Sequence, residues 1–188
     1  EIDGNIINDG VARYRDLNQK HLIPVDQGTD QNVTWLLVKT TQSDIEIAET
    51  SKLSVLVNEV EFNSTIESKA TKGKINSGIT TVLRQGEEIS IEKIVSIFTS
   101  KRDDVENPLA SSKELINTTG SFDSILRESE IAWGKIWDTI NININGDPKS
   151  QMLFRLILYH LMVAASPNKK NIDAGIAARG LHGEAYRG

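Results

Sequence analysis

Apolar and polar residues alternate with a period of two along roughly the first hundred residues, as they do in half-buried β-strands. The segments that show this are short and rich in Val, Ile and Thr: 33–40, 45–48, 53–57, 79–83 and 89–98. Turn-forming sequences separate them at 26–28, 71–74 and 85–87. Because no helical pattern intervenes, these strands predict an antiparallel β-sandwich.

The period becomes helical beyond a charged stretch that ends at Pro108. An amphipathic helix is predicted over 122–140, with Ser121 as its N-cap. A second helix is predicted to begin at Pro148 behind the capping residue Asp147. From 152 to 165 it is apolar on nearly every side, so it needs neighbours all around it. The chain supplies too few, and we expect part of this packing shell to lie outside it.

Composition narrows the possible functions. With 188 residues the chain makes one domain or slightly more, and its net charge of −5 argues against general nucleic-acid binding. The absence of cysteine excludes disulfides, thiol nucleophiles and Cys-ligated zinc, while it leaves the cellular compartment open. We expect no metal and no membrane span, since the longest apolar stretch is too short for one.

Glycines and titratable side chains concentrate at the C-terminal end, over 174–188. There Arg179, Glu184 and Tyr186 are candidates to line a sugar-binding pocket, because hydrogen-bonding groups beside an aromatic ring suit a hydroxyl-rich ligand. A buried loop with paired charges is the more common alternative for any one of these residues. A second polar concentration, over 9–21, suggests either an anion site or interfacial salt bridges, the latter being the more frequent arrangement.

Three stretches, at 2–22, 132–161 and 178–188, resemble glycoside hydrolase family 65, which comprises the maltose, trehalose and kojibiose phosphorylases and their hydrolase relatives. The last stretch, which contains Gly183-Glu184-Ala185-Tyr186-Arg187-Gly188, is quite specific to the family, and the first is moderately so. The resemblance implies an α+β chain: part of the N-terminal β-sandwich over 1–106, a helical linker over 107–145, and the beginning of an (α/α)6 catalytic barrel over 146–188. We therefore expect a piece of a longer protein, which neither end of the sequence contradicts.

The resemblance also implies a function for the full-length parent. Such an enzyme cleaves the α-glucosidic bond of a disaccharide with inversion, by phosphorolysis or by hydrolysis. Its general-acid glutamate would lie outside these residues, so no catalytic residue is assigned and the isolated chain is expected to be inactive. It would need no cofactor, with inorganic phosphate as co-substrate in a phosphorylase. The implied partners are the disaccharide or other α-glucoside, the rest of the parent chain and, in a homodimer, a second copy.

A non-catalytic module is the alternative, either a sandwich that binds carbohydrate or one that positions another domain. A carbohydrate-binding sheet would display exposed aromatic rings, and Trp35 is the strand residue of suitable size. The same patterns predict an unpaired sheet edge and an exposed apolar helix face, both of which promote self-association.

Overall fold

The structure is a computed structural model that describes residues 1–5, 20–58, 60–62 and 66–165. Two units are distinguished, Glu1–Phe122 and the part from Asp123 onward. In chain order the elements are β1 (Ile2–Asp3), β2 (Leu22–Asp30), β3 (Val33–Thr40), β4 (Glu46–Val57), β5 (Val60–Glu61), β6 (Glu67–Thr71), β7 (Lys74–Gly78), β8 (Ile89–Thr99), α1 (Pro108–Thr118), α2 (Phe122–Ile140) and α3 (Pro148–Ala164).

The larger sheet is antiparallel and centres on the 12-residue strand β4. One edge of β4 pairs with β3, which in turn pairs with β2, while the other edge pairs with β8 along its whole length. The short strand β5 adds to the end of β4 at Leu56 and Val57. The predicted strands 33–40 and 89–98 are thus confirmed, and the two predicted at 45–48 and 53–57 form one continuous strand.

The smaller sheet has three antiparallel strands in the order β1, β7, β6. It covers part of the larger sheet, and the core between them is built from Ile2, Leu36 and Val38. Gly4 allows this close approach, because a Cβ atom there would lie 2.7 Å from Cγ1 of Val38. Two antiparallel sheets followed by helices confirm the predicted α+β class with a β-sandwich at its start.

Helix α1 packs on the other face of the larger sheet. Asn107 caps it by accepting a hydrogen bond from the N–H of Ala110, and Pro108 occupies the first turn, where its missing N–H costs nothing. The hydroxyl of Ser112 is fully buried and donates to Thr50 Oγ1 at 2.8 Å, within reach of the Ser96 carbonyl at 3.0 Å. This helix falls within the helical linker that the family resemblance implies over 107–145, although the hydrophobic pattern alone did not give its bounds.

The two remaining helices have the predicted bounds to within a residue. Asp147 caps α3 as predicted, accepting hydrogen bonds from the N–H of Lys149 and the hydroxyl of Ser150. The predicted exposed apolar helix face is found on α3, where these side chains are largely exposed: Met152, Leu153, Leu156, Ile157, Tyr159 and Leu161. Among the described residues, no helix combines the length and apolar character needed to cross a bilayer.

Two local predictions were wrong. Residues 26–28 were predicted to form a turn, but they lie inside β2, where the register shift between Pro24 and Asp26 accommodates them. Residues 79–83 were predicted to form a strand, but they are irregular, and Val82 is 90% exposed. Ile79 and Thr81 are half-buried, but no strand among the described residues pairs with 79–83, so the alternating pattern does not become part of a sheet. The domain boundaries at 106 and 145 stay predictions.

Candidate functional site

The three candidate sugar-binding residues, Arg179, Glu184 and Tyr186, lie outside the described residues, and so do Arg13, Arg15 and Asp16. Helix α3 is the last described element before the C-terminal motif along the chain.

Helices α2 and α3 form an antiparallel pair held by aromatic contacts. The ring of Trp133 lies 4.9 Å from that of Tyr159 and 6.1 Å from that of Trp137, measured between centroids. Tyr159 in turn meets His160 edge-on at 5.3 Å. These tilted geometries are the favourable ones for aromatic pairs. Trp133 and Trp137 lie one helical turn apart, a spacing that is typical of helix packing.

The loop between these helices is fixed by one side chain. The amide of Gln151 accepts a hydrogen bond from the N–H of Ile144 at 2.6 Å and donates to the carbonyl of Ile142 at 3.0 Å. By satisfying both a donor and an acceptor of the loop, Gln151 ties the loop to the first turns of α3. The start of α3 is thereby held in place at both Asp147 and Gln151.

An open cleft of about 390 Å³ is lined by Trp137, Asn141 and Arg155. The guanidinium of Arg155 lies 3.5 Å from the amide oxygen of Asn141. An aromatic surface beside amide and guanidinium donors has the chemistry that hydroxyl-rich ligands require. Asn141 and Arg155 are 14 residues apart in the sequence, and no local pattern links them; the antiparallel return of α3 brings them together.

The cavity between the two sheets is smaller and mixed in character. It has a volume of about 140 Å³, with apolar walls that include Ile2, Val55 and Ile75 and with the hydroxyls of Thr34 and Ser51. Ligand sites usually occupy roughly 300–1,000 Å³. This cavity is therefore a gap in the packing of the sandwich, and its lining also includes Ile91 and Lys93 of strand β8.

A charged cluster joins the first strand to the smaller sheet. The ammonium of Lys74 lies 2.9 Å from a carboxylate oxygen of Glu1 and 3.1 Å from one of Asp3. These two carboxylates raise the pKa of Lys74. The N–H of Asn5 and the ammonium of Lys74 together lower the pKa of Asp3. Since each charge has its partner, the cluster acts structurally, fixing the register of β1 against β7.

Trp35 is held in packing contacts and does not form an open aromatic platform. Its ring lies against Gly28, its cross-strand partner, where a Cβ atom would be only 2.3 Å from the nearest ring atom. The ammonium of Lys113, on α1, lies 3.3 Å from the ring centroid. A sugar would have to displace this cation–π contact to stack there. The alternative of a carbohydrate-binding sheet therefore gains no support from Trp35.

The chemistry that the described residues can perform is limited. In the ranges that the structure describes, no three His, Asp or Glu side chains are grouped so that they could hold a metal ion. The shifted pKa values in these ranges belong to ion pairs and to the helix cap at Asp147, where the hydroxyl of Ser150 and the N–H of Lys149 lower the pKa. Such shifts arise from structural contacts and need no catalytic explanation.

Comparison with known families shows a match over most of the chain. Residues 1–136 match the model of the glycosyl hydrolase family 65 N-terminal domain. The matched range includes both sheets, α1 and most of α2, so the described sandwich is the part of the chain that this family shares.

Individual relatives align along nearly the full chain. An uncharacterized glycosyl hydrolase of Mycobacterium tuberculosis is 29% identical over 187 residues, which is 100% of this chain and 14% of the relative. A kojibiose phosphorylase of Halothermothrix orenii is 24% identical over 99% of the chain and 24% of its own length. A trehalose 6-phosphate phosphorylase of Lactococcus lactis is 29% identical over 99% of the chain and 23% of its own length. The chain spans less than a quarter of the length of these curated relatives.

Proposed function

The chain belongs to glycosyl hydrolase family 65, and we propose that its parent protein is an enzyme that cleaves the α-glucosidic bond of a disaccharide by phosphorolysis. The observation that carries this proposal is the alignment of 99% of the chain with two phosphorylases, for kojibiose and for trehalose 6-phosphate. In the proposed organisation, residues 1–106 belong to the N-terminal β-sandwich, 107–145 form a linker, and 146–188 begin the catalytic barrel.

The proposed reaction proceeds with inversion in one displacement step. A glutamic acid outside this chain donates its proton to the glycosidic oxygen as the bond between C1 and that oxygen breaks. An oxygen of inorganic phosphate forms its bond to C1 from the opposite face. The products are the released sugar and glucose 1-phosphate, with the configuration at C1 inverted. Phosphate serves as co-substrate, and the step requires no further cofactor.

The residues of this chain that we propose to contact the sugar are Arg179, Glu184 and Tyr186. They follow α3, whose first turn is fixed by Asp147 and Gln151. Charged and aromatic groups after a well-anchored helix are suited to orienting a sugar, and the general acid belongs to another segment. The isolated 188-residue chain is accordingly proposed to be inactive.

The test uses the full-length parent with kojibiose, trehalose and trehalose 6-phosphate, in the presence and absence of phosphate. Phosphorolysis gives glucose 1-phosphate only when phosphate is present, whereas hydrolysis gives free glucose without it. The 188-residue chain serves as a control and should give neither product. Release of glucose in the absence of phosphate would overturn phosphorolysis, and a parent that releases neither product from these three sugars would contradict the proposed function.

The sugar contacts are tested separately in the same enzyme. Glu184→Gln and Tyr186→Phe should each raise KM about tenfold, which corresponds to the loss of about one hydrogen bond to the sugar. The matched control is Glu114→Gln, which changes an exposed carboxylate on α1 and should leave KM unaltered. If Glu184→Gln and Tyr186→Phe leave KM at the control value, these residues do not contact the substrate, although the proposed reaction would stand.

A further inference from the structure

The loop between α2 and α3 contains three asparagines, Asn141, Asn143 and Asn145. The first two are each followed by isoleucine, whereas Asn145 is followed by Gly146, and the sequence contains no other Asn-Gly pair. All three asparagines are exposed. They therefore share one exposed loop, and they differ in the residue whose backbone N–H follows each of them.

The following N–H group decides whether the backbone can attack the side chain of an asparagine. An unhindered main-chain nitrogen can reach the side-chain amide carbon of the preceding residue and close a cyclic imide. Isoleucine is branched at Cβ and crowds this nitrogen, whereas glycine has no Cβ and lets the two atoms approach. A Cβ atom built at Gly146 would meet nothing within 4 Å, so the described surroundings leave the approach open.

The hydrogen bonds of the loop increase the difference between the asparagines. The N–H of Ile144, which follows Asn143, donates to Oε1 of Gln151 at 2.6 Å and must break this bond before its nitrogen can react. The N–H of Gly146 has no hydrogen-bond acceptor in the part of the chain that the structure describes. Gly146 also has a φ of +101°, which glycine adopts without strain. Asn145 is thus followed by a nitrogen that is neither crowded nor engaged.

A chemically related pair in the sandwich has the opposite arrangement. Asp3 is also followed by a glycine, but the N–H of Gly4 donates to the carbonyl of Gly73 at 2.8 Å. The carboxylate of Asp3 accepts from the ammonium of Lys74 at 3.1 Å, and an ionised carboxylate resists attack by a nucleophile. Both reacting groups of this pair are held by the fold, and no described residue holds those of the Asn145-Gly146 pair in this way.

We propose that Asn145 is a site of spontaneous covalent modification, at which the backbone nitrogen of Gly146 displaces ammonia from the asparagine side chain. A bond forms between the nitrogen of Gly146 and Cγ of Asn145, the bond from Cγ to the side-chain nitrogen breaks, and the proton lost by Gly146 leaves with the ammonia. Water then opens the imide at either of its carbonyl carbons, which gives aspartate or isoaspartate. The step uses no oxidant, reductant or cofactor, and it does not depend on the proposed enzymatic function.

The position of the site gives the modification a structural consequence. Residue 145 lies between Ile144, whose N–H is held by Gln151, and Asp147, the N-cap of α3. Isoaspartate adds one methylene to the main chain between these two anchors and shifts them relative to each other. Aspartate leaves the main chain unchanged and adds a negative charge close to the N-terminus of the helix, which the helix dipole favours. Amide protection at Ile144 should therefore fall in the isoaspartyl form and persist in the aspartyl form.

The test incubates the full-length parent in warm, mildly alkaline buffer. Trypsin cleavage after Lys135 and Lys149 gives one peptide with all three loop asparagines, and mass spectrometry measures the conversion of each. Asn145 should convert at least about tenfold faster than Asn143, because the nitrogen after Asn143 must first lose a hydrogen bond. Asn145→Ser should abolish the fast release of ammonia, and the matched control Asn143→Ser should leave it unchanged.

A comparison of the native parent with the parent in urea separates the effect of the fold from that of the sequence. Relative to its own rate in urea, isoaspartate formation should slow less than about tenfold at Asn145 and more than about a hundredfold at Asp3, whose partners are released only by unfolding. An Asn145 that stays an amide in the native parent, or that folding slows as much as Asp3, would overturn the proposal. Neither measurement depends on turnover, so an inactive parent would leave this result interpretable.

Discussion

The β-sandwich and the helix pair are stabilised in different ways. In the sandwich, side chains from distant parts of the sequence are buried together, as Ile2, Leu36 and Ile75 are, each at most 3% exposed. In the described part of the second unit, α2 has no buried residue and α3 buries only Ala164. Most of the stability of a helix in a protein comes from burial of its apolar face. The helices therefore depend on caps, loop hydrogen bonds and a few ring contacts.

The two parts of the molecule differ in how many of their apolar side chains are buried by other described residues. Where the smaller sheet covers the larger one, both layers and the core between them are formed by described residues. The helix pair and the β8 side of the sheet display apolar side chains that are suited to burial. This difference can be measured as the change in the free energy of unfolding that a substitution causes at each position.

The largest expected effect comes from paired alanine substitutions of isoleucine. Ile75→Ala, in the core at 1% exposure, should lower the free energy of unfolding by about 2–4 kcal/mol, because it loses apolar burial and leaves a cavity. Ile157→Ala, on α3 at 62% exposure, should change it by less than about 0.5 kcal/mol. Both values are obtained from urea unfolding of the 188-residue chain. Equal losses at the two positions would refute the contrast between the units.

Sequence patterns predicted the elements whose burial follows a simple period. Strands β3 and β8 alternate clearly, and α2 has a continuous apolar stripe. Hydrophobic periodicity did not give the bounds of helix α1 within the implied helical linker, because its buried positions, Pro108, Ser112 and Ile116, recur every four residues but include only one large hydrophobic side chain. Its contact with the sheet relies on a small hydroxyl residue, which hydrophobic periodicity does not detect.

Strand β2 was missed for a related reason. The sequence Asp26-Gln27-Gly28 has the composition of a turn, and only the tertiary structure supplies what keeps it extended: an edge position, a register shift and the ring of Trp35 over Gly28.

The candidate site could be predicted only as a group of residue types, since Arg179, Glu184 and Tyr186 lie outside the described residues. Their role stays a prediction that the kinetic variants test.

A smaller effect is expected from filling the space at Gly28. Gly28→Ala places a Cβ atom within 2.3 Å of the Trp35 ring, which must move and weaken its contact with Lys113. We expect a loss of about 1–3 kcal/mol, as in other overpacked sites. Gly78→Ala is the matched control on β7, since a Cβ atom there meets nothing within 4 Å. Urea unfolding gives both values, and a Gly28→Ala variant as stable as Gly78→Ala would show that the ring is not a fixed part of the sandwich.

The smallest effect is expected from changes at the N-caps of α3 and α1, Asp147 and Asn107. The pKa of Asp147 is lowered from 3.8 because the Ser150 hydroxyl and the Lys149 N–H stabilise its carboxylate. A lowered pKa in the folded state means that this stabilisation is fully present above pH 3.8 and is lost as the pH falls below it. Amide protection in the first turn of α3 should therefore decrease on acidification. Asp147→Asn should remove the pH dependence while keeping much of the cap, since asparagine also accepts a hydrogen bond from the helix N–H groups.

The matched comparison is with α1, which begins with the same kind of cap at Asn107 and is also buried against the sheet through Ser112 and Ile116. Asp147→Ala and Asn107→Ala each remove one cap acceptor, so the intrinsic loss is similar. Hydrogen exchange should nevertheless show greater loss of protection in α3, because α1 retains its tertiary contacts when its cap is removed. Equal losses in the two helices would mean that burial contributes little to α1, and the division between a packed sandwich and a locally stabilised helix pair would then have to be abandoned.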